Sequence, residues 1–374
     1  MPARTLTRDQ LARDLAIRDL TDPLAGPHAI QLLVDAAVDA LASRWGCEVR
    51  TCRGERVVPL GDNYDALGFP AASVTRDARY TRYVDDGHML RSHASAMIPP
   101  ALRALAAEPS PPDDVLLVCP GITYRRDSID RLHTGTPHQL DLWRITRTPM
   151  TDADMDGMID ALAGAVVPGV PYRSEARVHP YTHNGRQVDA LAHGEWIEVW
   201  ECGLAHPGVL GRAGLDEGWS GLALGMGLDR LLMLRKGIRD IRVLRSDDPR
   251  IASQLQDLSP YRAVSNLPAI RRDLSIAVDV ADDAEILGDR ARDALGDDAD
   301  LVEAIEVLSE TPWLQLPDAA VKRLGMDASQ KNVLLRLTIR PLERTLTDDE
   351  ANRVRDRVYA ALHRGSVMAW ATSR

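Results

Sequence analysis

The chain has 374 residues, of which 45% are hydrophobic and 27% charged, a balance that is typical of globular proteins and excludes disorder, collagen and coiled coil. No run approaches the ~18 consecutive apolar residues that a membrane span needs. Residues 5–10 are polar, where a signal peptide would have its apolar core. We therefore expect a cytoplasmic protein without a membrane partner.

Acidic residues outnumber basic ones by 55 to 45, so the net charge is -10. This charge excludes a protein that holds DNA by bulk electrostatic attraction, and any contact with RNA must be local. The four cysteines, at positions 47, 52, 119 and 202, form no CxxC pair. Their number and spacing indicate ordinary thiols rather than a disulfide framework or a zinc site.

The first two thirds of the chain alternate between helical and strand-like patterns. Apolar residues recur at three- and four-residue spacing in three segments, which predict helices at 26–45, 152–165 and 222–234, the last entered through a glycine-rich turn. Apolar runs or alternation predict strands of one antiparallel sheet at 115–119, 138–145 and 195–203. The order lacks the βαβ rhythm of a parallel sheet, so the fold class is α+β.

Ser-Pro and Leu-Pro steps interrupt both periodicities near 259–268 and indicate a domain boundary. The segments that follow predict strands at 273–278, 301–308 and 332–339, and helices at 283–295 and 348–362, with Thr347 as the N-cap of the second helix. This β-α-β-β-α order is most of a ferredoxin-like module. We therefore predict two domains, at 1–260 and 261–374.

A dense polar cluster spans 124–141 and lies between two predicted strands. An arginine that leaves the first strand could bind a phosphate through a bidentate fork. Gln139 and Asp141 are two residues apart on the second strand and so face the same side, where an amide and a carboxylate could hold an ammonium group. A solvated hairpin whose charges only maintain solubility is the alternative interpretation.

Two further motifs carry weaker signals. The stretch GLALGMGLDR at 221–230 brings glycines and Arg230 to the start of a helix, which favours anions, although glycines there also serve plain packing. It is not a dinucleotide fingerprint, because no βαβ unit surrounds it. The stretch LRSHAS at 90–95 contains a His and a Ser without the G-x-S-x-G elbow of a hydrolase.

In this order the motifs resemble the class II aminoacyl-tRNA synthetases, and most closely the phenylalanyl-tRNA synthetase catalytic subunit. NYDALGFP at 63–70 resembles that family's approach to motif 1, and LRSHAS is similar to its LRTHTS segment. YRRD at 124–127 through HQLD at 138–141 resembles motif 2, and GMGLDR at 225–230 resembles motif 3. WIEVWECG at 196–203 with the following HP resembles the strand before motif 3. Residues after about 265, including RPLERTL at 340–346, resemble the family's ferredoxin-fold anticodon-binding domain.

The resemblance implies activation of an amino acid by ATP and Mg²⁺, followed by transfer to tRNA. It assigns catalysis to Arg125 and Arg230, which would bind the adenylate phosphate and the terminal phosphate. It assigns ATP binding to a wider set: Arg125, Asp127, His133, Gly225 and Arg230. It assigns magnesium to Glu198. It assigns the amino acid to a third set: His93, Ser95, Gln139, Asp141, His179, Tyr181 and Ala223. Asp141 stands where the family has glutamate, and the shorter carboxylate would shift the substrate or admit a water.

The sequence departs from the family at the pocket floor. HPY at 179–181 replaces the family's Phe-Pro-Phe, so an imidazole stands where a phenyl ring would lie. A buried polar group without a partner costs about 1–3 kcal/mol, which points to a substrate with a hydrogen-bonding group, or to a smaller one with ordered water. The alternative is that His179 faces away from the pocket.

The predicted C-terminal module is acidic, with 14 basic and 20 acidic residues between 265 and 364, although Arg336, Arg340 and Arg344 could form a basic face. The leading hypothesis is therefore a phenylalanyl-type synthetase with a divergent pocket. The alternative is a paralogue that passes the activated acid to a carrier protein or an amine, and a third is a non-catalytic RNA-binding relative. The sequence leaves the choice between monomer and dimer open.

Overall fold

The computed structural model describes residues 5–76, 81–192, 194–264, 267–342 and 344–368. It contains two compact units. The first comprises the chain up to Arg125 together with 136–238 and 254–261, and the second comprises 126–135, 239–253 and the chain from Arg262 onward. Segments 126–135 and 239–253 thus group with the chain from Arg262 onward, whereas the two predicted domains divide at 260/261.

The first unit is built on nine strands and six helices among the described residues. The strands are β1 (Glu48–Thr51), β2 (Val57–Pro59), β3 (His88–Leu90), β4 (Asp114–Ile122), β5 (His138–Thr146), β6 (Tyr172–Ala176), β7 (Thr182–Ala192), β8 (Glu195–Ala205) and β9 (Ser220–Gly227). The helices are α1 (Arg8–Ala16), α2 (Ala29–Trp45), α3 (Ile98–Ala106), α4 (Asp152–Val166), α5 (Pro207–Arg212) and α6 (Leu228–Lys236).

Seven of these strands form one mixed sheet in the order β1-β4-β5-β9-β8-β7-β6. All neighbours are antiparallel except β1 and β4, which run parallel. The predicted strands at 115–119, 138–145 and 195–203 all lie in this sheet and are confirmed. Helix α2 packs against α4 and α6, and α3 and α5 contribute to an apolar cluster with β4 and Trp143 of β5. The α+β class is therefore confirmed, with a sheet that is mixed rather than wholly antiparallel.

The prediction of a helix over 222–234 is wrong in its first half. Residues Ser220–Gly227 form the central strand β9, and the helix begins at Leu228. Leu222, Leu224 and Met226 are all buried, since β9 pairs with β5 on one side and β8 on the other. A strand buried on both faces gives a continuous apolar run that periodicity does not separate from a buried helix.

The second unit contains a three-stranded antiparallel sheet in the order β10-β12-β11. Its elements are α7 (Pro249–Ala252), β10 (Ile270–Asp279), α8 (Ala284–Leu295), β11 (Val302–Pro312), α9 (Asp318–Leu324), β12 (Gln330–Ile339) and α10 (Asp348–Leu362). The predicted β-α-β-β-α order is present from β10 to α10, with α9 inserted between β11 and β12. The predicted N-cap Thr347 is confirmed, and the structure adds a capping box with Glu350.

The segment 126–135 belongs to this unit through backbone and apolar contacts. Ile129 is buried in the core with Leu274, Leu287 and Val354, and its carbonyl accepts a hydrogen bond of 2.8 Å from the Ile305 amide of β11.

Within the described ranges, all four cysteines are free thiols. None of the described helices combines the length and apolarity that crossing a bilayer requires.

Candidate active site

One face of the large sheet carries a row of polar and glycine residues across three adjacent strands. Asp141 of β5 is opposite Gly225 of β9, and Gly225 is opposite Glu201 of β8. Residues that are opposite one another in a sheet share a face, so Asp141 and Glu201 flank Gly225 from its two sides. Gln139 and Trp143 lie two residues either side of Asp141 and share that face.

Two glycines of β9 leave space above the sheet. A Cβ at Gly225 would lie 3.3 Å from Asp141 Oδ1, which is tighter than most side-chain contacts. A Cβ at Gly227 would meet no atom of the described residues within 4 Å. Glycine therefore makes room for the Asp141 carboxylate at one position and for a close approach to the backbone at the next.

Asp141 is a buried acid whose charge lacks a complete set of partners. It is 2% exposed, and among the described residues its Oδ2 has no hydrogen-bond partner. Burial raises its pKa to about 7, although the nearby Ser95 hydroxyl, the Trp143 indole and the Arg125 charge favour the ionised form. A ligand ammonium would supply the missing donor and stabilise the carboxylate.

Two predicted neighbours of Asp141 are Gln139, on β5, and His93, which precedes the short helical turn Ala94–Met97. Gln139 Oε1 accepts a hydrogen bond of 3.0 Å from the Ala94 amide, which fixes the turn against β5. His93 precedes the turn, and Asn63 Nδ2 lies 3.4 Å from its Nε2. Its buried Nδ1 has no hydrogen-bond partner within the described chain. Burial and the Arg125 charge lower the pKa of His93 to about 3, so His93 is neutral at physiological pH.

Arg125 lies among these groups, three residues beyond the end of β4. Its Nε donates a hydrogen bond of 2.9 Å to the Ser92 carbonyl, which holds the side chain in place. Its positive charge lowers the pKa of Asp141, and that of Glu201. Arg125 therefore contacts the segment before the Ala94–Met97 turn and interacts with both acids, and its binding of an anion stays a prediction.

Glu198 reaches the same face because β8 carries a bulge. Val188 is opposite Trp200 and Asp189 is opposite Glu198, so Val199 is an extra residue. The extra residue turns Glu198 toward the side of Glu201. The pKa of Glu198 is raised by partial desolvation and by Glu201, and it is lowered by Arg230. Arg230, in the first turn of α6, and Glu198 are therefore close enough to interact.

Two predicted ATP-binding residues lie in the second unit. His133 Nδ1 is 2.7 Å from Asp130 Oδ2, and the Leu132 and His133 amides donate to Asp130 Oδ1. Asp127 Oδ1 accepts a hydrogen bond of 2.9 Å from the Ser128 amide. Both residues thus stabilise the loop that follows Arg125, and their binding to ATP stays a prediction.

The predicted pocket floor is a chain of ring contacts. Tyr181 lies 6.1 Å from both Phe69 and Trp143, measured between ring centroids, and His93 lies 5.5 Å from Phe69. The ring of His179 stacks on Tyr181 at 5.6 Å. Ala223 is buried in the adjoining apolar cluster, where it is opposite Trp143.

His179 does not lack a partner, so the penalty expected for a lone buried imidazole does not apply. Its Nε2 lies 3.1 Å from Glu201 Oε1, a distance within ion-pair range although the angle is not that of a hydrogen bond. Its Nδ1 lies 3.2 Å from Thr182 Oγ1. Sequence reasoning missed Glu201. The signal that could have found it was a lone carboxylate between Trp200 and Cys202, two residues that a half-buried strand turns to its other face.

The family of this chain follows from comparison with known proteins. A family model described as the tRNA synthetases class II core domain (F) matches residues 24–255, which is more than half of the chain. The chain therefore belongs to the class II tRNA synthetase family and is a ligase of that class. The matched range includes the candidate site residues His93, Arg125, Glu198 and Arg230.

Similar curated proteins carry the name phenylalanine–tRNA ligase alpha subunit. The protein from Nostoc punctiforme (strain ATCC 29133 / PCC 73102) is 31% identical over 242 residues, which cover 64% of this chain and 70% of the relative. The protein from Prochlorococcus marinus (strain MIT 9313) is 34% identical over 242 residues, covering 63% and 69%. The protein from Thermosynechococcus vestitus (strain NIES-2133 / IAM M-273 / BP-1) is 30% identical over 258 residues, covering 67% and 74%.

Proposed function

We propose that this chain activates an α-amino acid with ATP and then transfers the aminoacyl group to tRNA. The observation that carries the proposal is the grouping of Arg125 with Asp141, Gln139 and residues 93–95 on one face of the sheet. This grouping combines a fixed cation for a phosphate with a buried acid for an ammonium group. The names of the relatives point to phenylalanine as the type of amino acid and to tRNA as the acceptor.

In the proposed reaction, Asp141 and Ser95 bind the substrate ammonium and Gln139 orients the amino acid. A carboxylate oxygen of the substrate attacks the α-phosphorus of ATP, and the bond from that phosphorus to the bridging oxygen breaks to release pyrophosphate. Arg125 stabilises the negative charge that spreads over the α-phosphate oxygens. Arg230 binds the terminal phosphate and Gly225 contributes to the ATP site, while the assignment of Asp127 and His133 to ATP stays a prediction.

The donor set suits magnesium bound through the nucleotide. The described residues contain no group of three or more His, Cys, Asp or Glu side chains that could hold a metal ion by themselves. Glu198 lies close enough to Arg230 to interact with it, and Mg²⁺ is commonly held by one or two carboxylates together with phosphates and water. When bound there, the ion would neutralise charge on the phosphate oxygens.

We further propose that the second unit contacts the tRNA, although two of its arginines are paired with acidic residues of the same unit. Arg336 forms two hydrogen bonds of 2.8 Å with Asp273, and Arg340 Nε lies 3.0 Å from Glu303 Oε2. Binding of RNA phosphates would require these arginines to exchange partners. The relatives' names favour tRNA over a carrier protein or an amine as acceptor.

The test is amino-acid-dependent ATP–pyrophosphate exchange by the full chain, followed by charging of bulk tRNA. Arg125→Ala should lower exchange by about 10²–10³-fold, the loss typical of a group that stabilises the transition state. Arg103→Ala is the matched control, because Arg103 forms an exposed ion pair with Asp62. Equal exchange in the two variants would remove Arg125 from the chemistry. Exchange without tRNA charging would redirect the acceptor toward a carrier protein or an amine.

A further inference from the structure

The face of the sheet that carries the candidate site holds a carboxylate, Glu201, that the proposed reaction does not use. Asp141 and Glu201 flank Gly225 on opposite sides, and an α-amino acid brings one ammonium group. If Asp141 binds that ammonium, then Glu201 has no role in holding the reacting groups. Its placement beside His179 and Tyr181, which are predicted to form the floor under the substrate side chain, points instead to recognition of that side chain.

The Glu201 carboxyl is ionised and therefore acts as a hydrogen-bond acceptor. Burial opposes its charge, but His179, Arg177 and Arg125 together lower its pKa below the ordinary value. His179 Nε2 lies 3.1 Å from Oε1, and Arg177 Nε lies 3.8 Å from the same oxygen. A carboxylate in this state only accepts hydrogen bonds. Its side chain retains 28% of its exposure, so a ligand can reach it.

The surfaces around Glu201 are flat and aromatic. His179 stacks on Tyr181 with an angle of 20° between the rings, and Tyr181 in turn contacts Phe69 and Trp143. Ring faces of this kind pack well against another ring. The same Tyr181 is affected by the charges of both Asp141 and Glu201, which raise its pKa together with burial. The aromatic floor and the two acids therefore border one space.

We propose that Glu201, held in place by His179, is a specificity-determining residue, and that the preferred substrate is an α-amino acid whose side-chain ring carries a hydrogen-bond donor such as a hydroxyl or an amino group. This inference rests on the proposed amino-acid activation. An unsubstituted phenyl ring would displace water from the carboxylate and return no hydrogen bond. Sites built around such an acceptor reject the analogue that lacks the donor by large factors.

The test measures kcat/KM for ATP–pyrophosphate exchange with phenylalanine, tyrosine and 4-aminophenylalanine. The full chain should favour the donor-bearing amino acids by at least about 10²-fold, a smaller factor than in a fully dry site because Glu201 keeps some solvent contact. Glu201→Met, of similar shape but apolar, should lower that preference at least about tenfold while exchange with phenylalanine persists. Glu201→Gln should give an intermediate preference, and it supplies the test should the methionine variant fail to fold.

Glu195→Met is the matched control, because Glu195 is an exposed acid on the same strand. Its preference among the three amino acids should equal that of the unaltered chain. Preference of the unaltered chain for phenylalanine, or an unchanged preference in both Glu201 variants, would overturn the role of Glu201 and leave amino-acid activation standing. Absence of exchange with every amino acid would overturn the activation itself.

Discussion

Replacement of Asp141 by asparagine tests whether ionisation of this buried acid destabilises the folded chain. Asp141 is 2% exposed, and burial raises its pKa from the ordinary value of 3.8 to about 7. The folded chain therefore retains a proton on this carboxyl over a pH range in which the unfolded chain has lost it. The contribution of Asp141 to the free energy of unfolding is fully present below the pKa that this group has in the unfolded chain. It is lost as the pH rises from about 4 to about 7.

The size of the effect follows from the two pKa values. Each pKa unit corresponds to about 1.4 kcal/mol, so full ionisation of Asp141 costs up to about 4 kcal/mol at pH 8. Between pH 5 and pH 8 the cost grows by about 2–3 kcal/mol. Asparagine lacks the charge, so Asp141→Asn should gain that amount of stability relative to the unaltered chain over the same interval. The comparison between two pH values cancels any constant cost of the buried amide.

The assay is urea unfolding of both proteins at pH 5 and pH 8, without ligands, followed by tryptophan fluorescence. Trp143 is fully buried on the same strand and the same face as Asp141 and reports on this region. Glu195→Gln, at an exposed position, controls for the removal of a negative charge. A difference between Asp141→Asn and the unaltered chain that stays constant with pH would refute the reasoning, because it would mean that Asp141 ionises equally in the folded and unfolded chains.

The same contacts support three further predictions. Gly225→Ala should raise KM for the amino acid about tenfold with little change in kcat, because the new Cβ would lie 3.3 Å from Asp141 Oδ1. The control is Gly164→Ala, where the Cβ meets no described atom within 4 Å and exchange kinetics should be unchanged. KM for the amino acid should fall about tenfold as the pH rises from about 6 to 8, since the Asp141 pKa of about 7 places ionisation in that range; a flat pH profile would contradict ammonium binding by Asp141. Thr347→Ala should lower the stability of the second unit by about 1 kcal/mol, since Thr347 Oγ1 accepts from the Glu350 amide at 3.2 Å; amide hydrogen exchange in α10 measures the loss, and unchanged protection would show that the cap does not limit opening.

Short patterns in the sequence correctly predicted the features that depend only on neighbouring residues. The start of α10 follows from Thr347 as its N-cap, which needs no distant contact. The shared face of Gln139 and Asp141 follows from strand alternation alone. The order of the motifs also indicates the family, because the residues that carry its chemistry keep a fixed order along the chain.

The sequence by itself determined the class of fold, six of the twelve described strands, the four longest helices and the shared face of Gln139 and Asp141 on β5. Only the tertiary structure decided which residues meet across the sheet. The pairing of β9 with β5 and β8 turned an apolar run into a central strand rather than a helix. The same pairing placed Glu201 opposite Gly225, and the bulge at Val199 turned Glu198 to the same face. Such neighbours depend on strand register, which is a long-range property, so no local pattern along the chain specifies it.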